Sequence, residues 1–136
     1  MRISHFVFLL FVLTIASCEN APPPAALQKP LDLYVSGLRE GRLELLRQAF
    51  LPNGRFCWKA AADSVICEPF STVLPTWTTP DPLCEGHVLS WEATEEMARV
   101  TFELEYDGLR FKDHLLLYKP GTDWVIVSKS TEVMAR

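Results

Sequence analysis

Ala98-Arg99-Val100-Thr101-Phe102-Glu103-Leu104-Glu105-Tyr106, followed by Asp107-Gly108, is the stretch that decides the fold of this chain. Apolar and polar residues alternate through it, and a period of two puts one face of a strand in a core and the other in water. Asp-Gly readily takes the positive φ values of a tight hairpin, so a second strand, Leu109 to Lys119, is predicted to return antiparallel on the first. A third, Trp124 to Thr131, follows the turn Pro120-Gly121-Thr122-Asp123, and its mixed faces suggest burial on both sides or an interface. On the strand from Leu109, Leu109, Phe111, Asp113, Leu115 and Leu117 share one parity, apolar but for the aspartate, while Arg110, Lys112 and His114 share the other.

Working backwards, Glu85 to Glu92 reads as a further strand, with Leu89 and Trp91 on one parity and Val88 and Ser90 on the other. Pro69 to Pro82 holds four prolines and reads as a loop with a turn of helix at Ser71 to Leu74; Trp77 either caps a pocket or pins the loop to the core. Arg55 to Lys59 and Ser64 to Glu68 are short strands. If they pair, Cys57 and Cys67 face each other and an oxidising compartment lets them bridge; Cys67 with Cys84 is the alternative, and three buried free thiols a third reading. Pro52-Asn53-Gly54 reads as a turn. Apolar spacings of three and four, broken at Gly41, predict helices from Leu31 to about Glu40 and from Arg42 to Phe50.

The 136 residues suit one domain. Arg2, an apolar run from Phe6 to Leu13 and small residues before Cys18 form a secretory signal, residues 1–17, too short to span a bilayer at ~20 residues. Leu13 to Cys18 resembles the lipobox of bacterial lipoproteins, which implies a lipidated Cys18 as first mature residue; an ordinary signal peptide cut near the same bond is the alternative. Glu19, where an aspartate would resemble an inner-membrane retention signal, points to the outer membrane, facing the periplasm. Residues 18–30, with Pro22-Pro23-Pro24, read as an extended tether, leaving one domain over 31–136. Loss of Arg2 leaves 12 basic against 17 acidic residues, with no basic cluster to follow a phosphate backbone, so nucleic acid is not an expected partner.

Helices, a hairpin, a variable loop and then a long meander give an α+β domain in which a strongly bent antiparallel sheet wraps its N-terminal helices. Tyr34-Val35-Ser36-Gly37, Leu46 to Phe50, Asp113 to Gly121 and Trp124 to Lys129 resemble the nuclear transport factor two-like superfamily, also called ketosteroid-isomerase-like or SnoaL-like, and within it the putative lumazine-binding subgroup. The resemblance covers Leu31 to Glu132 and implies a conical fold enclosing an apolar pocket, often in a homodimer. It departs at His114, where a tyrosine is expected, and at the proline-rich loop, where the superfamily has a third helix.

A carboxylate among apolar neighbours must be hydrogen-bonded, paired or protonated, so Asp113 is the candidate general base, or else is satisfied by a helix-end amide, an arginine or a tyrosine such as Tyr34. Pocket candidates are Tyr34, Trp91, Phe102, Tyr106, Phe111, Asp113 and Trp124. His87 and His114 lie on different strands, and His114 opposes Asp113 in parity, so no metal site is predicted, nor any cofactor. No Gly-x-Ser-x-Gly elbow occurs. These features point to a lipid-anchored envelope protein whose cone binds a small apolar or aromatic ligand, or a partner protein, without catalysis. Two readings stay open beside it. One is an isomerase-like enzyme with Asp113 as base and Tyr34 or Tyr106 as donor; the other is a structural dimer, which requires an apolar outer sheet face and no cavity.

Overall fold

The computed structural model describes residues 21–135; the signal segment and Cys18 lie outside the described residues. Helix α1, Ala25–Glu40, buries Leu27, Pro30, Leu31, Tyr34 and Leu38 along one stripe. It begins six residues earlier than expected, so residues 25–30, nearly half of the predicted tether, are helical. Pro30 forfeits the bond to the Ala26 carbonyl, a loss its own burial and that of Leu27 and Leu31 offset. Pro24, at φ −54° and ψ 149°, keeps the extended form. Gly41 closes α1 with φ 65°, its N–H donating to the Gly37 carbonyl. Helix α2, Leu43–Ala49, then lays Leu46 and Ala49 on the core.

The sheet comprises β1 Phe50–Ala61, β2 Ser64–Pro69, β3 Glu85–Ala93, β4 Met97–Tyr106, β5 Leu109–Tyr118 and β6 Val125–Val133, in the spatial order β2-β1-β6-β5-β4-β3. Four ladders are antiparallel and β1 with β6 is parallel, so the sheet is mixed rather than wholly antiparallel. The turn predicted at Pro52-Asn53-Gly54 is absent. Those residues bulge out of β1 between its pairings at Phe50 and Arg55, where proline is tolerated because no ladder bond is needed. Gly54 sits there so tightly that a Cβ would stand 2.5 Å from the Val127 carbonyl oxygen. The β4–β5 turn is as expected, with Asp107 at φ 54° and Gly108 at φ 71°.

The loop after β2 carries a third helix, α3 Phe70–Val73, and a 3-10 turn, Leu74–Trp77. Their Phe70, Val73 and Leu74 join Phe50, Val100, Phe102, Leu115, Leu117 and Ile126 from the concave face and the α1 and α2 stripes in one core. Cys57 and Cys67 are paired in register and disulfide-bonded, with Cα atoms 4.1 Å apart. Cys84 is free and buried.

Two one-residue bulges reset the parity of strands. In β3, Val88 and Ser90 pair with adjacent Phe102 and Thr101, so Leu89 is extra and Val88 shares the concave face with Trp91, not with Ser90. In β6, Ile126 and Ser128 pair with adjacent Leu117 and Leu116, so Val127 is extra. Beyond it Lys129 and Thr131 face inward and Ser128 and Ser130 outward.

Candidate functional site

The wide end of the cone holds a cavity of about 140 Å³. Its floor is Tyr34 and Leu38 of α1, Leu104 of β4 and Lys129 of β6, all buried. Phe56, Trp77, Tyr106, Phe111 and Thr131 form a half-exposed rim. A hollow of this size accepts about one benzene-sized ring.

Asp113 lies behind the floor at 0% exposure, and three side chains meet its carboxylate. The Tyr34 hydroxyl donates to Oδ2 at 3.2 Å. Lys129 Nζ donates to Oδ1 at 2.5 Å and to Thr131 Oγ1 at 2.5 Å, and Thr131 in turn donates to Oδ1. Register explains the convergence: Asp113 pairs directly with Thr131, and Leu115 with Lys129, so the ammonium reaches diagonally to the carboxylate on one sheet face.

The other side of Lys129 is aromatic. Its Nζ lies 5.0 Å from the Phe56 ring centroid and 5.8 Å from those of Tyr34 and Trp77. Cation–π attraction and Asp113 both favour the ammonium, but burial disfavours it more, and the Lys129 pKa is lowered from its ordinary range. Tyr34 moves the opposite way: burial first, then the negative charge of Asp113, hold its hydroxyl well above the usual phenol value. The rings also order one another, Trp77 standing edge-on to Phe56 at 5.2 Å and Tyr34 to Phe50 at 4.9 Å. Trp77 thus both lines the cavity and pins the loop.

Among the predicted pocket residues, Tyr34, Tyr106 and Phe111 line the cavity, and Asp113 supports it from behind. Three belong elsewhere. Phe102 is buried in the core beneath Gly86. Trp124 packs beside Lys29, Pro30 and Leu33 at the foot of the helices. Trp91 lies toward the free edge of the sheet, its indole N–H donating to the Ala21 carbonyl at 2.7 Å. Asp113 does not present a free oxygen to the cavity, as a general base must; it acts there through Lys129 and Thr131. Sequence reading missed Lys129 because strict alternation from Ile126 turns Ser128 inward; a lysine one residue beyond the apolar run Trp124 to Val127 was the one available signal.

The outer sheet face carries Arg99, Thr101, Lys112, His114 and Ser130, with Met97, Leu116 and Tyr118 toward one end. No group of three metal-ligating side chains occurs among the described residues. No helix among them is long and apolar enough to cross a membrane.

A family profile described as "Putative lumazine-binding" matches residues 23–131. The chain belongs to this lumazine-binding family. No curated protein matches the sequence. Among solved structures, this lumazine-binding family member is similar to a nuclear transport factor two-like protein of unknown function from Shewanella baltica, with a TM-score of 0.74 at 18% identity over 82% of this chain and 93% of that one. A second protein so described, from Silicibacter pomeroyi, gives 0.73 at 19% identity, covering 81% and 94%. A ketosteroid isomerase-like protein from Erwinia carotovora gives 0.64 at 11%, covering 82% and 96%. At these identities the likeness carries the fold, and the cone of the nuclear transport factor two-like superfamily is the fold of this chain.

Proposed function

We propose that the domain binds a small, flat aromatic molecule bearing a carbonyl or anionic oxygen, with one ring in the cavity and the oxygen at Lys129. The observation that carries this is an apolar, aromatic-walled hollow whose floor presents one ammonium, two of whose three protons are committed to Asp113 and Thr131. A few convergent polar groups in an apolar concavity are what fixes the orientation of a small ligand. The family description makes lumazine the first molecule to test. Its second ring would sit at the rim between Trp77 and Phe111.

The test is titration of the full chain with lumazine and related heterocycles, read by thermal shift and by quenching of tryptophan fluorescence. Lys129→Met should weaken binding about 10-fold or more, as expected for one lost charge-assisted hydrogen bond. Heterocycles that neither shift nor quench at millimolar concentration would overturn the reading.

We further infer anchoring at the cell envelope, with Cys18 lipidated and the domain facing the periplasm. What supports it is the lipobox-like run ending at Cys18. The three residues from Cys18 to Ala21 reach at most about 11 Å, so with Ala21 bonded to Trp91 the domain would lie close to the lipid. Metabolic labelling with palmitate should mark the wild type and not Cys18→Ser.

A further inference from the structure

We propose that Lys129 is an amine nucleophile that captures small aldehydes or ketones in the cavity as a protonated Schiff base, an inference resting on the cavity-binding reading above. The geometry has the parts such a step needs. The side chain of Lys129 is 4% exposed, yet the residue lines a hollow with room for one ring, and its Nζ lies 5.0 Å from the ring centroid of Phe56 and 5.8 Å from those of Tyr34 and Trp77, which line it too. An amine that must react at neutral pH needs an environment that weakens its hold on a proton and a nearby base to take that proton. Burial supplies the first. Asp113 Oδ1, at 2.5 Å, supplies the second.

The groups facing Lys129 are Asp113 of β5, Thr131 of β6, Tyr34 of α1, and the faces of Phe56 and Trp77. Among the described residues, Asp113 is thus the one carboxylate in hydrogen-bond contact with the amine. Tyr34 and Thr131 both donate to that carboxylate and keep it in place when Lys129 turns to the substrate.

The step balances without an outside reagent. A proton passes from the Lys129 ammonium to Asp113 Oδ1, and the freed amine adds its electron pair to the carbonyl carbon, forming the C–N bond. A proton shift from nitrogen to oxygen gives the neutral carbinolamine. The proton on Asp113 Oδ1 passes to Thr131 Oγ1 as the Thr131 hydroxyl gives its own to the departing hydroxyl, water leaves as the C–O bond breaks, and a protonated imine remains beside a carboxylate. One carbonyl compound is consumed and one water released; nothing is oxidised or reduced. The ring that fits is single, so the substrate class is a benzaldehyde-sized aldehyde or an aliphatic carbonyl compound of similar bulk.

The experiment treats the full chain, in mild detergent at pH 6.5, with benzaldehyde and sodium cyanoborohydride, which fixes imines as secondary amines, and locates the adducts by peptide mass spectrometry. Lys29 and Lys59 are exposed and Lys129 is buried, so labelling by access alone would favour the first two. The expected result is labelling of Lys129 at least 10-fold faster than either. It should fall at least 10-fold in Asp113→Asn, whose folding is checked by circular dichroism, and compete with benzyl alcohol, which fits the cavity but has no carbonyl. Labelling confined to exposed lysines, while benzyl alcohol still shifts the melting temperature, would overturn the covalent step and leave cavity binding standing. No adduct at Lys129 and no shift by benzyl alcohol would overturn both.

Discussion

Replacing Asp113 by Leu and Lys129 by Met, singly and together, probes the buried pair most directly. The two side chains are 0% and 4% exposed, so each single variant strands the other charge away from water. Removing one partner of a buried pair costs about 3–5 kcal/mol, and two independent losses would sum to roughly 6–10 kcal/mol. The double variant buries no charge. What it retains is the Tyr34 hydroxyl without its acceptor and a half-buried Thr131 without Asp113, about 1–3 kcal/mol for a stranded buried hydroxyl and less for one near water. The double should therefore cost about 2–4 kcal/mol, a coupling of at least about 2 kcal/mol between the sites. For a domain of this size each single variant should lower the melting temperature by roughly 12–20 °C, and the double by roughly 8–16 °C, well short of the sum of the singles. Urea unfolding of the four proteins measures the cycle. Single costs that add to the double within about 0.5 kcal/mol would refute an ion pair that has left water.

The pH dependence of stability should carry two opposed signatures. The Tyr34 hydroxyl is raised above its ordinary 10.0, so the unfolded chain sheds that proton first, and stability present below about pH 10 falls above it; Tyr34→Phe should lose less over that range. Lys129 is lowered from 10.5. The folded chain therefore binds fewer protons between its folded value and 10.5, stability rises with pH through that window, and Lys129→Met should abolish the rise. Reducing the Cys57–Cys67 bond, which closes a 10-residue separation, should cost about 3 kcal/mol on a chain-entropy basis, read as a lower denaturant midpoint; an unchanged midpoint would mean the β1–β2 arm unfolds independently of the core. Burial pushes the Cys84 thiol up to about 11, leaving about one thiolate in a thousand at pH 8. Native Cys84 should thus react with a thiol reagent at least about 100-fold more slowly than in the denatured chain.

Local patterning made most of the fold legible. Period-two alternation located β4 and β5, Asp107-Gly108 their turn, and spacings of three and four the helices around Gly41. The cross-strand cysteines were readable for the same reason, since a hairpin register of short reach fixes which residues face each other. What escaped were features whose cause lies across the sheet. The parallel pairing of β1 with β6 joins strands far apart in the chain, and no local spacing signals it. Pro52 to Gly54 have turn chemistry but sit in a bulge that β6 and Phe70 enforce. Asp113 stood out as a carboxylate on an apolar parity, and Tyr34 as one of its candidate partners. Lys129 did not, because a single extra residue reverses the count on which parity depends.

That extra residue, Val127, bears on how relatives of this chain are to be aligned. A relative whose last strand runs without the bulge would carry its counterpart of Lys129 two positions after its counterpart of Ile126, not three. An ungapped alignment would then set Lys129 against a residue of the opposite face and report the lysine as lost where it is present. A one-residue gap opened at Val127 restores the correspondence. By the same arithmetic, deleting Val127 should straighten β6 and leave Lys129 and Thr131 pointing inward, so curvature of the wall and chemistry of the floor can vary independently.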